Sequence, residues 1–359
     1  NWIPISKDLT KNEERLSLPI MGRQQSWDAA WDVYAMSTYN TITSLAESLQ
    51  DENILYAGTD DGLLHTTKDG GANWSTLTVD KLSNVPATAF INDIKADMFD
   101  VNVAYIALDN HKFGDYRPFL YKTSNGGKSW KSITKGIPDG TLIWRLVQDH
   151  VNPNLLFIGT EYGVYISLDK GENWTKFSNG MPTISVRDLA IQKRENDLVV
   201  ATFGRSFYIL NDYSPLRKLT KENLENGAQI FPVNKALQYT QQRGGTSSQG
   251  ASYYLAKNPI YGAQFTYYLD EDLNTNKIKR INSEKNLNKD KKNIPFPGWA
   301  ALDAEKNEEE PKAILRITDT SGHLISEVSK TYKKGIHRVN WDLRETTASA
   351  IDIHSSRDN

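Results

Sequence analysis

Asp60, Asp61 and Glu161 are the side chains whose type and setting best suit chemistry. They sit in two matching runs, Gly58-Thr-Asp-Asp-Gly62 and Gly159-Thr-Glu-Tyr-Gly163. Hydrolysis of a glycosidic bond generally needs two carboxylates flanking it, one held protonated and one ionised. The same side chains could instead cap turns by accepting from nearby backbone N–H groups. Equivalent loops carry Asp109, His111, Lys112, Asp115, Tyr116 and Arg117, then Tyr162, then Arg205. His111 and Asp115 share the longest of these loops and could form a polar cluster or hold a metal. With no His-x-x-x-His spacing and no further ligand nearby, a hydrogen-bonded loop is the plainer account, and no metal is expected. Trp27 and Trp31, four residues apart, could share one face of a short helix, as a sugar platform or as a hydrophobic lid.

A repeat sets where these residues must lie. The pattern Ser/Thr-x-Asp/Asn-x-Gly-x-x-Trp occurs as Thr67, Asp69, Gly71, Trp74; as Thr123, Asn125, Gly127, Trp130; and as Ser167, Asp169, Gly171, Trp174. The hydroxyl and the Asp or Asn can bond backbone N–H groups of a tight turn. The Gly permits a positive φ, and the Trp buries a large ring over the turn. These box residues are therefore expected to be structural. Before each box comes an apolar run ending in a small residue, at Ile54–Gly58, Val103–Ala107 and Leu155–Gly159, then a second strand into the box. A further strand precedes each run and a fourth follows each Trp. Four short strands per repeat predict the blades of a β-propeller. A worn fourth unit follows, with Asn211-Asp-Tyr-Ser-Pro-Leu216 in place of a box. The opening Asn1-Trp2-Ile-Pro-Ile-Ser6 reads as the end of another box and the strand after it. These blades are therefore expected to be the C-terminal part of a larger propeller.

Aligning the units puts Ser44, Asp93, Arg145 and Asp188 at one inner-strand position, with Thr43, Asn92, Trp144 and Arg187 just before it. Strand alternation sends one of these sets toward the channel. Arg145, Arg187 and Arg205 would suffice in number for a carboxylate-binding triad, but they do not fall at equivalent positions. An Asp93–Arg145–Asp188 ion-pair network fixing blade packing is the plainer expectation.

Residues 1–214 thus read as propeller blades and 215–250 as a polar connector. Residues 251–346 read as a small immunoglobulin-like β-sandwich, built on alternating strands such as Ala313–Thr318 and Gly335–Leu343. A charged insertion at about 271–310 is expected to be solvated, and 347–359 form a tail. A net charge of −2 gives no electrostatic case for nucleic acid, and no apolar run is long enough to span a bilayer. With no cysteine, disulfides and thiol chemistry are excluded for this chain.

On the boxes, the Thr202–Asp212 segment and Gly335–Arg344 with its Trp-Asp-Leu-Arg ending, the chain resembles the BNR/Asp-box propeller proteins of bacteria. It is most similar to the large sortilin-like, BNR-repeat proteins named glycosyl hydrolases, over nearly all of residues 1–346. The resemblance implies an all-β fold, extracytoplasmic location, boxes on one face and a ligand face opposite. That face would be built by the loops joining each blade's second and third strands and by the crossings between blades. Its residues would be Trp27, Trp31, Asp109, His111, Asp115, Tyr116, Arg117, Tyr162 and Arg205, with Asp60, Asp61 and Glu161 as weak catalytic candidates. The implied function is a binding or scaffold module for glycan, peptide or protein, with no cofactor. The alternative is a glycoside hydrolase acting through the paired carboxylates.

Overall fold

The computed structural model describes residues 3–19, 22–26, 28–29, 39–225, 227–240, 258–330 and 333–346. Two compact units divide the chain, Asn1–Arg217 and Lys218–Asn359. The first is a β-propeller architecture of stacked antiparallel blades. Its first blade is β1 (Ile42–Glu47), β2 (Leu55–Thr59), β3 (Leu63–Thr67) and β4 (Ser75–Thr78). The second is β5 (Phe90–Ala96), β6 (Ala104–Asn110), β7 (Asp115–Thr123) and β8 (Lys131–Ser132). The third is β9 (Ile143–Gln148), β10 (Leu156–Thr160), β11 (Gly163–Ser167) and β12 (Thr175–Phe177). The fourth keeps three strands, β13 (Val186–Gln192), β14 (Asp197–Thr202) and β15 (Phe207–Leu210). Strand order within every blade follows the sequence, and the inner strands β1, β5, β9 and β13 lie side by side.

Burial explains the apolar runs. Successive residues of a strand face opposite sides, so a strand between two neighbours must be apolar throughout. In β6, Ala104, Ile106 and Leu108 pack toward the first blade with Tyr56, Leu64 and Ile91, while Tyr105 and Ala107 pack toward the third with Leu146, Ile158 and Trp174. The small residue closing each second strand has a steric reason. A Cβ on Gly58 would stand 2.6 Å from Ile91 Cγ2, and one on Gly159 would stand 2.8 Å from Val186 Cγ1. The next blade's inner strand crosses there.

All three boxes fold alike. Thr67 Oγ1 accepts from Gly71 N at 3.0 Å and donates to Asp69 Oδ1 at 2.8 Å, and Asp69 Oδ1 accepts from Asn73 N at 2.8 Å. Thr123 with Asn125 and Gly127, and Ser167 with Asp169 and Gly171, repeat these bonds. Trp174 is buried and donates Nε1–H to the Ile133 carbonyl of the blade before it at 2.7 Å. In the fourth blade Tyr213 takes over: it is buried, meets Phe157 edge-on at 5.3 Å and donates its hydroxyl to Asp149 at 2.6 Å.

The second unit holds a three-stranded antiparallel sheet in the order β16 (Ala228–Ile230), β17 (Ala263–Leu269) and β20 (Gly335–Trp341). A hairpin of β18 (Ala313–Thr318) and β19 (Leu324–Lys330) packs Ala313, Leu315 and Val328 against Tyr267, Leu269 and Val339. Among the described residues this gives five strands, and an immunoglobulin-like topology is not shown. The short α1 (Lys221–Glu225) precedes β16. The charged segment carries α2 (Asn276–Lys289) and α3 (Trp299–Asn307), two helices that the sequence reading leaves out. Neither buries a residue. Arg280 joins them by donating Nε–H and Nη2–H to the Glu305 carboxylate, each at 2.8 Å. A solvated segment can form helices when side-chain pairing supports them without a core face.

Candidate functional site

In an antiparallel meander the β3–β4 boxes and the β2–β3 loops fall at opposite ends of a blade. The loop end also holds the start of each inner strand, and there the four blades share an irregularity. Ladder register slips between Ile42 and Ser44, Ile91 and Asp93, Ile143 and Arg145, and Val186 and Asp188, so Thr43, Asn92, Trp144 and Arg187 are the bulged residues. A bulge re-aims a side chain and strengthens local twist.

Two of these side chains tie blades together. Thr43 Oγ1 donates to the Ile91 carbonyl at 2.6 Å, and Asn92 Nδ2 donates to the Ile143 carbonyl at 2.9 Å. The other two build a cluster. Arg187 lays its guanidinium 3.8 Å over the Trp144 ring and 5.5 Å from Phe203. Trp144 donates Nε1–H to Glu161 Oε2 at 2.9 Å, and Ser185 Oγ donates to the same oxygen at 2.9 Å. Phe203 N donates to the Ser185 carbonyl at 2.9 Å. His111 meets Trp144 edge-on at 5.6 Å and Phe90 at 6.2 Å. Its Nδ1 pairs with the fully buried Asp109 Oδ1, while Asp109 Oδ2 is buried with no hydrogen-bond partner. Lys112 Nζ stands 5.0 Å over the Phe90 ring.

The candidate carboxylates are all engaged in holding loops. Asp61 is buried; Thr59 Oγ1 donates to its Oδ1 and Lys11 N to its Oδ2 at 2.6 Å. Asp60 Oδ1 accepts from Thr41 N at 2.8 Å. Burial raises its pKa and the Asp61 charge adds to this, against the Thr41 N–H and Lys112. Glu161 braces Trp144 and Ser185. Asp60 and Asp61 thus belong to the first blade and Glu161 to the third. Asp115 does not join His111: Arg117 Nε–H and Nη2–H donate to its two oxygens at 2.9 and 2.6 Å. That hydrogen bonding with Arg117 holds its carboxyl below the usual range. The expected hydrogen-bonded loop is present, with Asp109 in the place given to Asp115. Asp115, Tyr116 and Arg117 belong to the start of β7 and not to the loop expected from sequence; Tyr116 is exposed there, and Tyr162 and Arg205 are exposed on their loops. Trp27 and Trp31 lie outside the described residues. No group of three or more metal-ligating side chains occurs among the described residues.

The inner-strand network expected from sequence is formed. Arg145 lies with Nη1 3.6 Å from Asp93 Oδ1 and Nε 3.4 Å from Asp188 Oδ1, and donates to the Asn92 carbonyl at 2.6 Å. No spacing in the sequence marks Ser185 or Phe203. Trp144 and Arg187 were aligned as equivalent, but their grouping depends on the bulges, which periodicity does not show.

No protein-family model and no curated protein sequence matches the chain. Solved structures similar to it include a GH74 enzyme of Niastella koreensis, at 17% identity and TM-score 0.39 over 49% of this chain and 29% of that one. Others are the β-propeller domain of Myceliophteria thermophila Cps50 (Swd1), at 15% and 0.37 over 50% and 55%, and YCF48 bound to D1 peptide, at 18% and 0.33 over 48% and 55%. The chain spans less than two thirds of each of these structures. No helix among the described residues is long and apolar enough to cross a membrane.

Proposed function

We propose that this chain is a non-catalytic binding or scaffold module whose ligand, a glycan, peptide or protein, sits on the loop end of the blades. One observation carries this. The three carboxylates suited to hydrolysis hold loops in place, while exposed Tyr116, Tyr162 and Phe203 rings and the exposed Arg187 surround them on the same end. Aromatic area beside a few fixed polar groups is how recognition surfaces are generally built. The proposed setting is extracytoplasmic, in a bacterial BNR/Asp-box protein of sortilin-like type. Further blades of the same repeat are proposed to continue the propeller ahead of the first blade, in keeping with the seat that Ile5 takes against Trp74.

A second reading, a glycoside hydrolase, is favoured by the raised proton affinity of Asp60, the sense a general acid requires. The two separate in one experiment. The full chain is screened against oligosaccharides and peptides for binding and for cleavage, beside Asp60→Asn and Glu161→Gln. Binding without cleavage, kept in both variants, supports the module. Cleavage of an oligosaccharide that either variant abolishes establishes the enzyme instead.

A further inference from the structure

We propose that Arg187 is a recognition residue for a carboxylate carried on a sugar ring, so that the ligand of this face is an acidic glycan. The proposal deepens the binding reading above and rests on it. Four arginines lie near the inner strands and loops of this end; two are spent, and Arg205 is exposed on its loop with no ring beneath it among the described residues. Arg117 is forked onto Asp115, and Arg145 is held by Asn92, Asp93 and Asp188. Arg187 differs: among the described residues it makes no hydrogen bond and no ion pair, only its two ring contacts. Stacking uses the guanidinium face and leaves the in-plane N–H donors open. A planar fork with fixed orientation matches a carboxylate bidentately, and less of its freedom is lost on binding.

The stack is braced from beneath. Trp144 cannot swing without breaking its bond to Glu161, which Ser185 also holds, and Ser185 in turn carries Phe203 through its carbonyl. A site this supported is pre-organised. Phe203 flanks it with an exposed ring, and Tyr162, next to Glu161 in sequence, is exposed as well; such rings stack on the apolar face of a pyranose. An extended peptide instead draws on main-chain partners at an open strand edge. The loops here are closed on themselves: Thr160 and Thr202 each donate a hydroxyl hydrogen to the carbonyl across their own turn, at 2.8 and 2.7 Å, and Thr59 Oγ1 accepts from Leu63 N at 2.9 Å. The geometry therefore favours a sugar.

The test is calorimetric titration of the full chain with an oligogalacturonate, a sialylated oligosaccharide, a neutral oligosaccharide of matched length and an acidic peptide. The expected result is binding of at least one acidic oligosaccharide and not of the neutral one. The oligogalacturonate and sialylated arms distinguish a hexuronate from a sialic acid source. Arg187→Gln should weaken that binding about tenfold or more, and Arg187→Lys should recover little of it, because a point charge lacks the fork. An unchanged thermal transition in both variants confirms that the fold is kept. Equal binding of the neutral oligosaccharide, preference for the peptide, or acidic binding indifferent to Arg187→Gln would each overturn the proposal while the binding module stands. Binding of none of the four also overturns it. Cleavage of an oligosaccharide, abolished by Glu161→Gln, would overturn the binding reading itself.

Discussion

Trp74 donates its indole N–H to the Ile5 carbonyl at 3.1 Å, as Trp174 does to the Ile133 carbonyl at 2.7 Å. Ile133 stands three residues after Trp130, and Ile5 three residues after Trp2. The glycine of each box faces the same partner: a Cβ on Gly71 would stand 2.9 Å from Ile5 Cβ, and one on Gly171 would stand 2.7 Å from Ile133 Cδ1. Ile5 thus takes against the first blade the place that Ile133, just past the outer strand β8, takes against the third. Between them, Trp130 packs its ring on the core but its Nε1–H has no partner among the described residues.

That difference separates two equivalent tryptophans. Trp174→Phe leaves the Ile133 carbonyl without its buried donor and is expected to cost about 1–3 kcal/mol beyond the lost ring area. Trp130→Phe removes no bond and is expected to cost less. Urea unfolding of the two variants checks the order; equal losses would count against the bond.

Two buried aspartates should respond in opposite ways to amidation. Burial raises the Asp93 carboxyl, and the Lys95 charge, the Leu146 N–H and Arg145 do not offset it. Its charge is therefore a cost at neutral pH, and Asp93→Asn is expected to keep or raise stability at pH 7. Burial also works against Asp149, but Arg217, the Tyr213 hydroxyl and the Asn152 N–H win and lower it. Stability from Asp149 is present above the unfolded value of about 3.9 and is lost as pH falls through the folded one. Asp149→Asn strands Arg217 and should cost about 3–5 kcal/mol at pH 7. Denaturation midpoints of the two variants at pH 7 decide this.

His65 gives a pH slope nearer neutrality. Burial lowers its pKa despite the Leu9 carbonyl and the Asp61 charge. The folded state then binds fewer protons, so stability is full above about pH 6.5 and declines as pH falls toward the folded value. His150 is also lowered by burial and adds to the slope. Stability measured at pH 7, 6 and 5 should fall in the parent chain and fall less steeply in His65→Gln. A parallel slope would contradict the assignment.

Gly159 and Gly58 test the close approach of neighbouring blades. Their backbones do not require glycine by φ, so the cost of Ala comes from contact alone. Gly159→Ala and Gly58→Ala are each expected to destabilise by about 1–3 kcal/mol through overpacking. Thermal unfolding shows it, and a neutral result would mean that the inner strands shift freely.

The repeat is legible because each of its residues has a local job, and local jobs leave fixed spacings: Thr67, Asp69 and Gly71 bond within one turn and Trp74 follows three residues on. The Asp93–Arg145–Asp188 network was readable for the same reason, since equivalent positions in adjacent blades must meet. Arg187 over Trp144 was not, because a bulge displaces a side chain without marking the sequence. The helices α2 and α3 leave no mark in the sequence because they lack the apolar stripe by which helices are recognised. Asp109, not Asp115, stands beside His111, because Asp115 opens β7 and is taken up by Arg117 two residues on.

Each blade keeps its two kinds of information at its two ends. The boxes of the first three blades, and Tyr213 in the fourth, sit at one end, and the bulged residue, different in all four blades, sits at the other. Substitutions that far apart with no shared partner act almost independently on stability. Mutation can therefore rewrite Trp144 or Arg187 without touching the turns, whereas Thr43 and Asn92 also carry bonds to the next blade, so only half of this end is free to diverge on an intact frame.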